Sequence, residues 1–379
     1  MTPEELAARL RRGAPTTILD VRNRDEFDEW HVEGRNVTAT QIPAIKFTQA
    51  EILGTVAELA DQFRESAGPV VAVCAEGRAS DHVADLLSDA GVAAENLESG
   101  MDGWARVYRA SRIDHADATV VQYDRPSSGC LGYMVVSGGE AVVVDPLRAF
   151  ADRYVDDAND HGAEIVAALD THVHADHVSG VRAVAERTGA IVALPAGAAD
   201  RGLSFDVRLL EDGDSVSVGD TELRAVHSPG HTTEMTAYRL GDLLFVGDGL
   251  FLESVARPDL EEGDDGAPAA ARRLYVTLVE RYAAFDGETR VAPGHYSDLT
   301  LAGDDGVYVD TLERLRHRLG AFSMGADEFV EYVLSDMPPR PANYERIIAT
   351  NLGTELLDAD EAFEVELGPN NCAATKTSA

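Results

Sequence analysis

The sequence predicts an α/β protein made of two domains. The first is a parallel sheet covered by helices, and the second is an αβ/βα sandwich, in which two sheets pack together with helices outside. Three observations support this prediction: apolar runs alternate with helical patterns up to residue 112, paired strand patterns begin at residue 119, and 379 residues suffice for two cores. We therefore expect domains over residues 1–112 and 113–368, followed by a disordered tail over 369–379.

The N-terminal region shows the strand and helix patterns of a parallel sheet. An amphipathic helix over residues 3–12 precedes the apolar run 17–19. A second apolar run, 70–73, ends at Cys74 and is followed by a helical pattern over 80–90. Short apolar strands that alternate with helices are typical of a sheet that is buried on both faces.

The C-terminal region changes from hairpins to alternating strands and helices. The dipeptide Gly138-Gly139 is typical of a tight turn between two antiparallel strands. Strands and helices then alternate, and a strand-rich stretch with several turns follows. The predicted strands are 120–123, 133–137, 141–144 and 165–170, with further strands within 207–252, and the predicted helices are 151–161 and 178–188.

The composition indicates an acidic protein that does not bind nucleic acid. The chain has 67 acidic and 32 basic residues, a formal charge of −35, and only two lysines, Lys46 and Lys376. A surface with this charge repels the phosphates of DNA and RNA. Acidic residues spread over the whole length also predict a protein adapted to concentrated salt, because salt screens their mutual repulsion.

The sequence predicts a cytoplasmic protein that does not associate with a membrane. The N-terminus has no basic stretch followed by an apolar segment, and no run reaches about eighteen apolar residues. Three cysteines, Cys74, Cys130 and Cys372, are too few for a disulfide framework. In a reducing compartment one of them is free to act as a nucleophile. The sequence leaves the oligomeric state open and is compatible with a homo-oligomer.

A cluster of metal-capable side chains follows the predicted strand 165–170. Residues 171–177 read Thr-His-Val-His-Ala-Asp-His. In an extended stretch, His172 and His174 point to the same side, and the start of the next helix adds Asp176 and His177. Four such groups within six residues, at the carboxyl end of a strand, predict a metal site.

Three later strand ends carry further candidate ligands. His231 lies in the segment His-Ser-Pro-Gly-His-Thr, Asp248 in Gly-Asp-Gly, and His295 in Ala-Pro-Gly-His. Each follows an apolar strand and a glycine, which allows the backbone to approach an ion closely. Any one of these segments alone is consistent with an ordinary turn. Their recurrence after the histidine cluster favours one shared metal site.

The order of these motifs resembles that of the metallo-β-lactamase superfamily over residues 118–340, and the resemblance implies the αβ/βα sandwich. Within that superfamily, residues 245–250 and 257–260 are similar to the iron-dependent persulfide dioxygenases, which carry a comparable GD…GRTD segment. Residues 327–330 and 338–341 are also similar to the C-terminal region of that group. Glyoxalase II enzymes have a different helical region there.

The resemblance also implies a ligand set. Carried over by position, it implies that His172, His231 and Asp248 hold one Fe(II). Two histidines and one carboxylate that leave open positions are also the set expected of an oxygen-activating iron. Four further residues would then orient the ligands: His174, Asp176, His177 and His295. In a zinc hydrolase these four would themselves be ligands, with Asp248 bridging two Zn(II) ions, and the sequence leaves both arrangements open.

Arg257 is a further candidate that comes from the resemblance alone. A guanidinium near the mouth of the site could hold a substrate carboxylate, and a surface ion pair is the alternative. The chain departs from the dioxygenases after the last histidine. That group tends to carry a tyrosine two residues later, whereas here Ser297 stands at that position and Tyr296 precedes it.

Cys74 is the candidate nucleophile of the N-terminal region. It joins a strand to a helix, so a thiolate there faces the helix N-terminus, whose free N–H groups stabilise a negative sulfur. A buried structural cysteine is the alternative. The segments 19–27 and 97–104 resemble those of rhodanese domains, which implies that Cys74 carries a persulfide sulfur. The chain departs from that family over residues 30–34, and at Ala79, where an arginine is common.

These features lead to three hypotheses. The first is an Fe(II)-dependent persulfide dioxygenase that oxidises a low-molecular-weight thiol persulfide with O2 to sulfite and the free thiol, with a fused sulfurtransferase domain of the rhodanese type. The second is a thioester hydrolase of the glyoxalase II (hydroxyacylglutathione hydrolase) type that uses one or two Zn(II) ions. The third is a non-enzymatic sulfur carrier or scaffold whose metal site is structural. Structural zinc sites are closed, whereas the three-ligand set is open, which argues against the third.

Overall fold

The computed structural model describes residues 1–297 and 300–374, and the chain forms two compact units. The first unit contains Met1–Arg109 and Arg125–Ser128, and the second contains Ala110–Asp124 and the chain from Gly129 onward. The division lies close to residue 112, where the sequence predicts the end of the first domain.

The first unit is built on a four-stranded parallel sheet. Its strands are β1 (Thr16–Asp20), β2 (Val37–Gln41), β3 (Val70–Val73) and β4 (Ala94–Asn96), in the order β2-β1-β3-β4. Its helices are α1 (Pro3–Arg11), α2 (Arg24–Glu29), α3 (Ala44–Leu53), α4 (Val56–Ala60), α5 (Arg78–Asp89) and α6 (Gly100–Ala105). The sheet and the alternating helices agree with the fold class predicted from the sequence.

Apolar side chains cover both faces of this sheet. Because neighbouring residues of a strand point to opposite faces, Ile18 and Leu19 of β1 belong to different clusters. Ile18 packs in a cluster with Leu6 of α1 and Trp104 of α6. Leu19 lies in the other cluster, which contains side chains of α3 and α5. Burial on both faces explains why β3 is apolar throughout.

The second unit begins with a seven-stranded sheet, in the order β11-β10-β9-β8-β7-β6-β5. The hairpin between β7 and β8 turns at Gly138 and Gly139, both with positive φ (56° and 83°), as a tight primed turn requires. The strands are β5 (Arg109–Ile113), β6 (Thr119–Arg125), β7 (Cys130–Ser137), β8 (Glu140–Val144), β9 (Glu164–Leu169), β10 (Ile191–Pro195) and β11 (Arg208–Leu210).

A six-stranded sheet faces it, in the order β12 to β17, and the two share one core. Tyr133 of the first sheet and Phe245 of the second meet with ring centroids 4.8 Å apart. The strands are β12 (Ser215–Val218), β13 (Thr221–His227), β14 (Thr236–Leu240), β15 (Leu243–Gly247), β16 (Arg290–Pro293) and β17 (Asp310–Thr311). The helices are α7 (Ala151–Asp160), α8 (Val181–Thr188), α9 (Gly263–Val276), α10 (Leu312–Arg318), α11 (Ala326–Ser335), α12 (Tyr344–Asn351) and α13 (Ala359–Val365).

Two details differ from the sequence-based expectations. Helix α8 begins at Val181 and not at Val178, because Val178 and Ser179 continue the preceding loop and donate backbone N–H groups to side chains of Glu366 and Asn351. The expected disorder of the tail does not extend to residues 370–374, where Cys372 is buried and Ala373 pairs with Ala256. Residues 375–379 lie outside the described part of the chain.

Within residues 1–297 and 300–374, none of the helices is both long enough and apolar enough to span a membrane.

Candidate metal centre

Four strand ends carry the metal-capable side chains of the second unit. The strand β9 leads into residues 170–177, β13 leads to His231, β15 to Asp248 and β16 to His295. Strands β15 and β16 are parallel and align Gly247 with Pro293, so the segments that follow them are neighbours. A side chain at residue 294 would lie 2.5 Å from Asp248, which explains why the motif needs glycine there.

His172, His231 and Asp248 come together as one buried group of donors. The Nε2 atoms of His172 and His231 lie 3.8 Å and 3.7 Å from Oδ2 of Asp248. Nε2 of His172 and Oδ2 of Asp248 find no hydrogen-bond partner among the described residues. A buried polar atom without a partner costs about 1–3 kcal/mol, so these converging atoms fit a bound metal ion.

Hydrogen bonds at Nδ1 fix both imidazoles in this orientation. Nδ1 of His172 donates to Oγ1 of Thr171 at 2.9 Å, because that hydroxyl already donates to Asp145. Nδ1 of His231 donates to the backbone carbonyl of Arg257 at 2.8 Å. Each ring therefore presents Nε2 to the group, which is the arrangement that hydrogen bonds to the other ring nitrogen produce in histidine ligands of metals.

Burial and charge give these groups the protonation states that metal ligands need. Burial, together with the neighbouring histidines, holds the pKa of His172 well below its usual value, so the ring is neutral. Burial would raise the pKa of Asp248, but the charge and hydrogen bond of His295 outweigh it and hold that pKa below its usual value. The carboxylate is therefore ionised.

Asp176, His177 and His295 form a second buried group beside the first. His295 lies between two carboxylates, with Nδ1 2.5 Å from Oδ1 of Asp248 and Nε2 2.7 Å from Oδ2 of Asp176. Nδ1 of His177 lies 3.2 Å from the same oxygen of Asp176. Oδ1 of Asp176 and Nε2 of His177 have no hydrogen-bond partner in the described chain. Asp248 thus connects the two groups.

Two thiols lie beside this second group, and neither was expected there from the sequence. Sγ of Cys130 donates to Oδ2 of Asp176 at 3.3 Å, and Cys130 clusters with His177 and His295. Cys372 clusters with Asp176, Asp248 and His295. Burial raises the pKa of Cys372 well above its usual value, and the two carboxylates add to this effect. In the sequence, Cys130 was only one of three cysteines, three residues before the predicted strand 133–137.

His174 belongs to a third group and turns away from the first. Its Nε2 lies 3.2 Å from Oδ1 of Asp145 and 3.6 Å from Oδ1 of Asp170. Burial lowers the pKa of His174, but the two carboxylates outweigh it and raise that pKa well above its usual value. Nδ1 of His174 lacks a hydrogen-bond partner within the described residues. The side chains predicted to act together are therefore divided between three adjoining groups.

Arg257, which the resemblance suggests as a substrate-binding residue near the mouth of the site, is a buried residue whose guanidinium contacts other parts of the chain. It is 1% exposed, and its Nε and Nη2 atoms form a bidentate ion pair with the carboxylate of Asp259, at 2.7 Å and 3.0 Å. Nη1 donates to the carbonyls of Pro339 and Asn371, and the backbone N–H donates to Cys372. Because these contacts use its donors, the guanidinium clamps the C-terminal segment that carries Cys372.

Cys74 of the first unit lies in a loop that directs backbone N–H groups at its sulfur. The backbone N–H groups of Gly77 and Ser80 lie 3.1 Å and 3.4 Å from Sγ, and Oγ of Ser80 lies at 3.1 Å. The hydroxyl of Ser80 is also 2.7 Å from Oδ1 of Asn96. This is the helix N-terminus expected from the sequence, since α5 begins at Arg78.

The segment 97–104 packs against this loop and is hydrogen-bonded to its backbone. The backbone N–H groups of Met101 and Asp102 donate to the carbonyls of Cys74 and Ala75. A side chain at Gly100, where φ is +54°, would collide with both carbonyls. The side chain of Arg78 is 85% exposed and pairs with Glu76, so it lies on the solvent side of the loop.

A cavity of about 500 Å³ lies elsewhere in the second unit, and no member of the three donor groups lines it. Its wall includes Arg201 and five acidic side chains, one of which is Glu261. It is therefore distinct from the metal-capable cluster.

Comparisons with known proteins match two separate regions of the chain. Residues 127–295 match the family described as the metallo-beta-lactamase superfamily, and residues 2–107 match the rhodanese-like domain. The persulfide dioxygenase ETHE1 of Homo sapiens mitochondria is 27% identical over 219 residues, which are 56% of this chain and 78% of that protein.

Two further similarities concern the second unit. The hydroxyacylglutathione hydrolase of Xylella fastidiosa (strain 9a5c) is 29% identical over 223 residues, which are 58% of this chain and 76% of the hydrolase. The crystal structure of ETHE1 from Myxococcus xanthus superposes with a TM-score of 0.54 at 26% identity, covering 62% of this chain and 98% of that one.

Proposed function

Because the chain carries a rhodanese-like domain followed by a metallo-β-lactamase domain, we propose that it is an Fe(II)-dependent persulfide dioxygenase with a fused sulfurtransferase. The proposed reaction is RSSH + O2 + H2O → RSH + H2SO3. The outer sulfur loses four electrons and O2 accepts them. The substrate class is a low-molecular-weight thiol persulfide.

The observation that carries this proposal is the open group of three donors. His172, His231 and Asp248 present two imidazole nitrogens and one carboxylate oxygen to a common point, while the Nε2 atom of His174 faces Asp145. Such a set would hold Fe(II) with open positions, and the metal would supply the redox chemistry by which O2 reacts with a bound substrate. The similarity to the ETHE1 proteins supports the same assignment.

The residues around the ligands hold them in place. The hydroxyl of Thr171 and the carbonyl of Arg257 keep Nε2 of each histidine free to bind metal. His295 holds Oδ1 of Asp248, so that Oδ2 faces the histidines. Burial of the whole group excludes bulk water.

We propose that Cys74 is the sulfur carrier of the first unit. Its thiolate attacks the outer sulfur of thiosulfate and forms a cysteine persulfide, while sulfite leaves with the electron pair of the broken S–S bond. A small thiol then takes the outer sulfur and becomes a persulfide, which is the substrate of the iron site. The backbone N–H groups of Gly77 and Ser80 point at Sγ and stabilise the thiolate that is needed at both ends of this cycle.

We propose that the protein works in the cytoplasm and in concentrated salt, for the reasons that its cysteines and its charge provide. All three cysteines are free thiols, which suits the reducing cytoplasm. The charge of −35 suits concentrated salt. The partners are the thiol persulfide and O2, and the oligomeric state stays open.

A zinc-dependent thioester hydrolase is the second candidate. Nδ1 of His174, Oδ1 of Asp176 and Nε2 of His177 are buried without hydrogen-bond partners in the described residues, as ligands of further metal ions would be. The similarity to the hydroxyacylglutathione hydrolase favours the same candidate.

The two candidates differ in metal content and in substrate. Protein purified without oxygen should contain one iron per chain, consume O2 with a small thiol persulfide and release sulfite. Two zinc ions per chain, together with thioester hydrolysis and no persulfide-dependent O2 uptake, would establish the hydrolase instead.

A further inference from the structure

Glu234 is a buried carboxylate that connects two of the segments that supply the metal-capable histidines. It lies three residues after His231 and is 1% exposed. Its Oε1 atom accepts the backbone N–H of Val173 at 2.9 Å, and Val173 stands between His172 and His174. One oxygen of Glu234 therefore joins the segment of His172 to the segment of His231.

Arg201 and Gly197 hold Glu234 in this position. Nη1 of Arg201 donates to the same Oε1 at 2.6 Å, and the arginine side chain is only 9% exposed. A Cβ atom at Gly197 would lie 2.8 Å from Cβ of Glu234, so the glycine makes room for the glutamate. Hydrogen bonds between charged groups are about twice as strong as neutral ones, which makes this a firm anchor.

The same two segments are joined again two residues away. The backbone N–H of Thr236 donates to the carbonyl of Thr171 at 2.9 Å. The connections at Val173 and Thr171 lie on either side of His172, so the backbone that carries this ligand is held at both ends. The rings of His172 and His231 meet at 85° with centroids 5.0 Å apart.

We propose that Glu234, anchored by Arg201, is a positioning residue that sets the separation of His172 and His231 in the metal centre. Metal–ligand distances tolerate changes of only about 0.2 Å. Loss of the bond to Val173 releases one end of the segment that carries His172. The inference rests on the metal site of the proposed function, and it is independent of the reaction that this site performs.

Glu261 provides a matched control for the charge of Glu234. Its carboxylate accepts the N–H and the hydroxyl of Thr233, both at 2.6 Å, and lies 3.7 Å from Nε of Arg201. It thus contacts the same arginine and the residue next to Glu234. It has no bond to the segment that carries His172 among the interactions of the described chain.

The test is a titration of the metal-free full-length protein with Co(II), followed by its visible absorption. Glu234→Ala should weaken Co(II) binding by about 10–100-fold and shift the absorption bands, because the ligand geometry changes. Glu234→Gln keeps an acceptor for Val173 and should restore most of the affinity. Glu261→Gln should stay within about threefold of the wild type. A purely structural role would lower the melting temperature and leave affinity and spectrum unchanged.

Three outcomes separate the possibilities. Wild-type binding and spectrum in folded Glu234→Ala would overturn the role of Glu234, as would an equal loss in Glu261→Gln. A wild-type chain that binds no Co(II) would contradict the metal centre and the proposed function together. If Glu234→Ala does not fold, Gly197→Ala displaces the glutamate by direct contact, and it should weaken Co(II) binding in the same direction; unchanged binding in that variant overturns the proposal.

Discussion

Nδ1 of His295 lies 2.5 Å from Oδ1 of Asp248, which leaves the other carboxylate oxygen of Asp248 directed at His172 and His231. Asp176 contacts the opposite nitrogen of His295 at 2.7 Å. Burial lowers the pKa of His295, but these two carboxylates outweigh it and raise that pKa well above its usual value. A single imidazole thus orients the carboxylate of the first donor group and belongs to the second.

Removing this support should loosen the metal without removing a ligand of the first group. We expect His295→Ala to weaken Fe(II) or Co(II) binding by about 10–100-fold, because Asp248 loses the donor that orients it. Equilibrium titration against a competing chelator measures the change. Complete loss of metal would instead identify His295 as a direct ligand.

Changes in the three donors themselves should have a larger effect. His231→Ala or Asp248→Ala should abolish metal binding and O2 consumption, since each removes one of three protein bonds. His174→Ala should lose less metal than these two variants, because Nε2 of His174 faces Asp145 and Asp170 and not the three donors. Metal content after anaerobic purification measures this, and equal loss in His174→Ala would indicate a site of the hydrolase type.

The clamp formed by Arg257 should contribute to stability. Arg257→Ala leaves the buried carboxylate of Asp259 with Arg340 only, and breaking such a buried pair costs about 3–5 kcal/mol. Arg340→Ala is the control: its side chain is partly exposed, and its loss should cost about 0–1 kcal/mol. Urea unfolding compares the two, and equal free energies of unfolding would contradict the clamp.

The contribution of Arg257 should also depend on pH. Burial raises the pKa of Asp259, but the two arginines outweigh it and hold that pKa below its usual value. The pair is therefore fully stabilising above the unfolded pKa of about 3.9, and its effect is lost as the pH falls through the lower folded pKa. The difference between wild type and Arg257→Ala should shrink only in that acidic range.

Salt should stabilise the protein if its surface is adapted to concentrated salt. The charge of −35 is screened over about 10 Å in 0.1 M salt and about 3 Å in 1 M salt. We expect the melting temperature to rise steadily with sodium chloride up to molar concentrations, and to rise less with sucrose at equal osmolality. A melting temperature that does not change with salt would contradict the halophilic interpretation.

Cys74→Ser should separate the activities of the two units. A serine oxygen cannot hold a sulfane sulfur, so transfer from thiosulfate to cyanide or a thiol should disappear. Oxidation of a preformed persulfide should continue near the wild-type rate, because the three proposed iron ligands, His172, His231 and Asp248, all belong to the second unit. Ser80→Ala removes the hydroxyl that lies 3.1 Å from Sγ and should slow transfer by about tenfold or more.

Two results would change this interpretation. If Cys74→Ser leaves thiosulfate turnover intact, the first unit is an inactive rhodanese-like domain. If it also stops the oxidation of a preformed persulfide, the two activities share one site.

The sequence by itself determined the strands and helices and the order of the segments that contain metal-capable side chains. Three features were visible in the sequence: the apolar run of β3, the Gly138-Gly139 turn, and the polar side chains that follow β9, β13, β15 and β16. Each of them is a pattern of residues that are close together in the chain. Local periodicity and turn chemistry record such contacts directly. The two-domain α/β fold and the metal-capable clusters were therefore predictable.

Only the tertiary structure decided how these side chains are grouped. His295 meets Asp176 across 119 positions of sequence, and Arg257 meets Asn371 across 114. Cys130 joins the site from the start of β7, and His174 turns to Asp145 although it shares a motif with His172. No local pattern encodes such pairings, because they depend on which strand ends the packed sheets bring together.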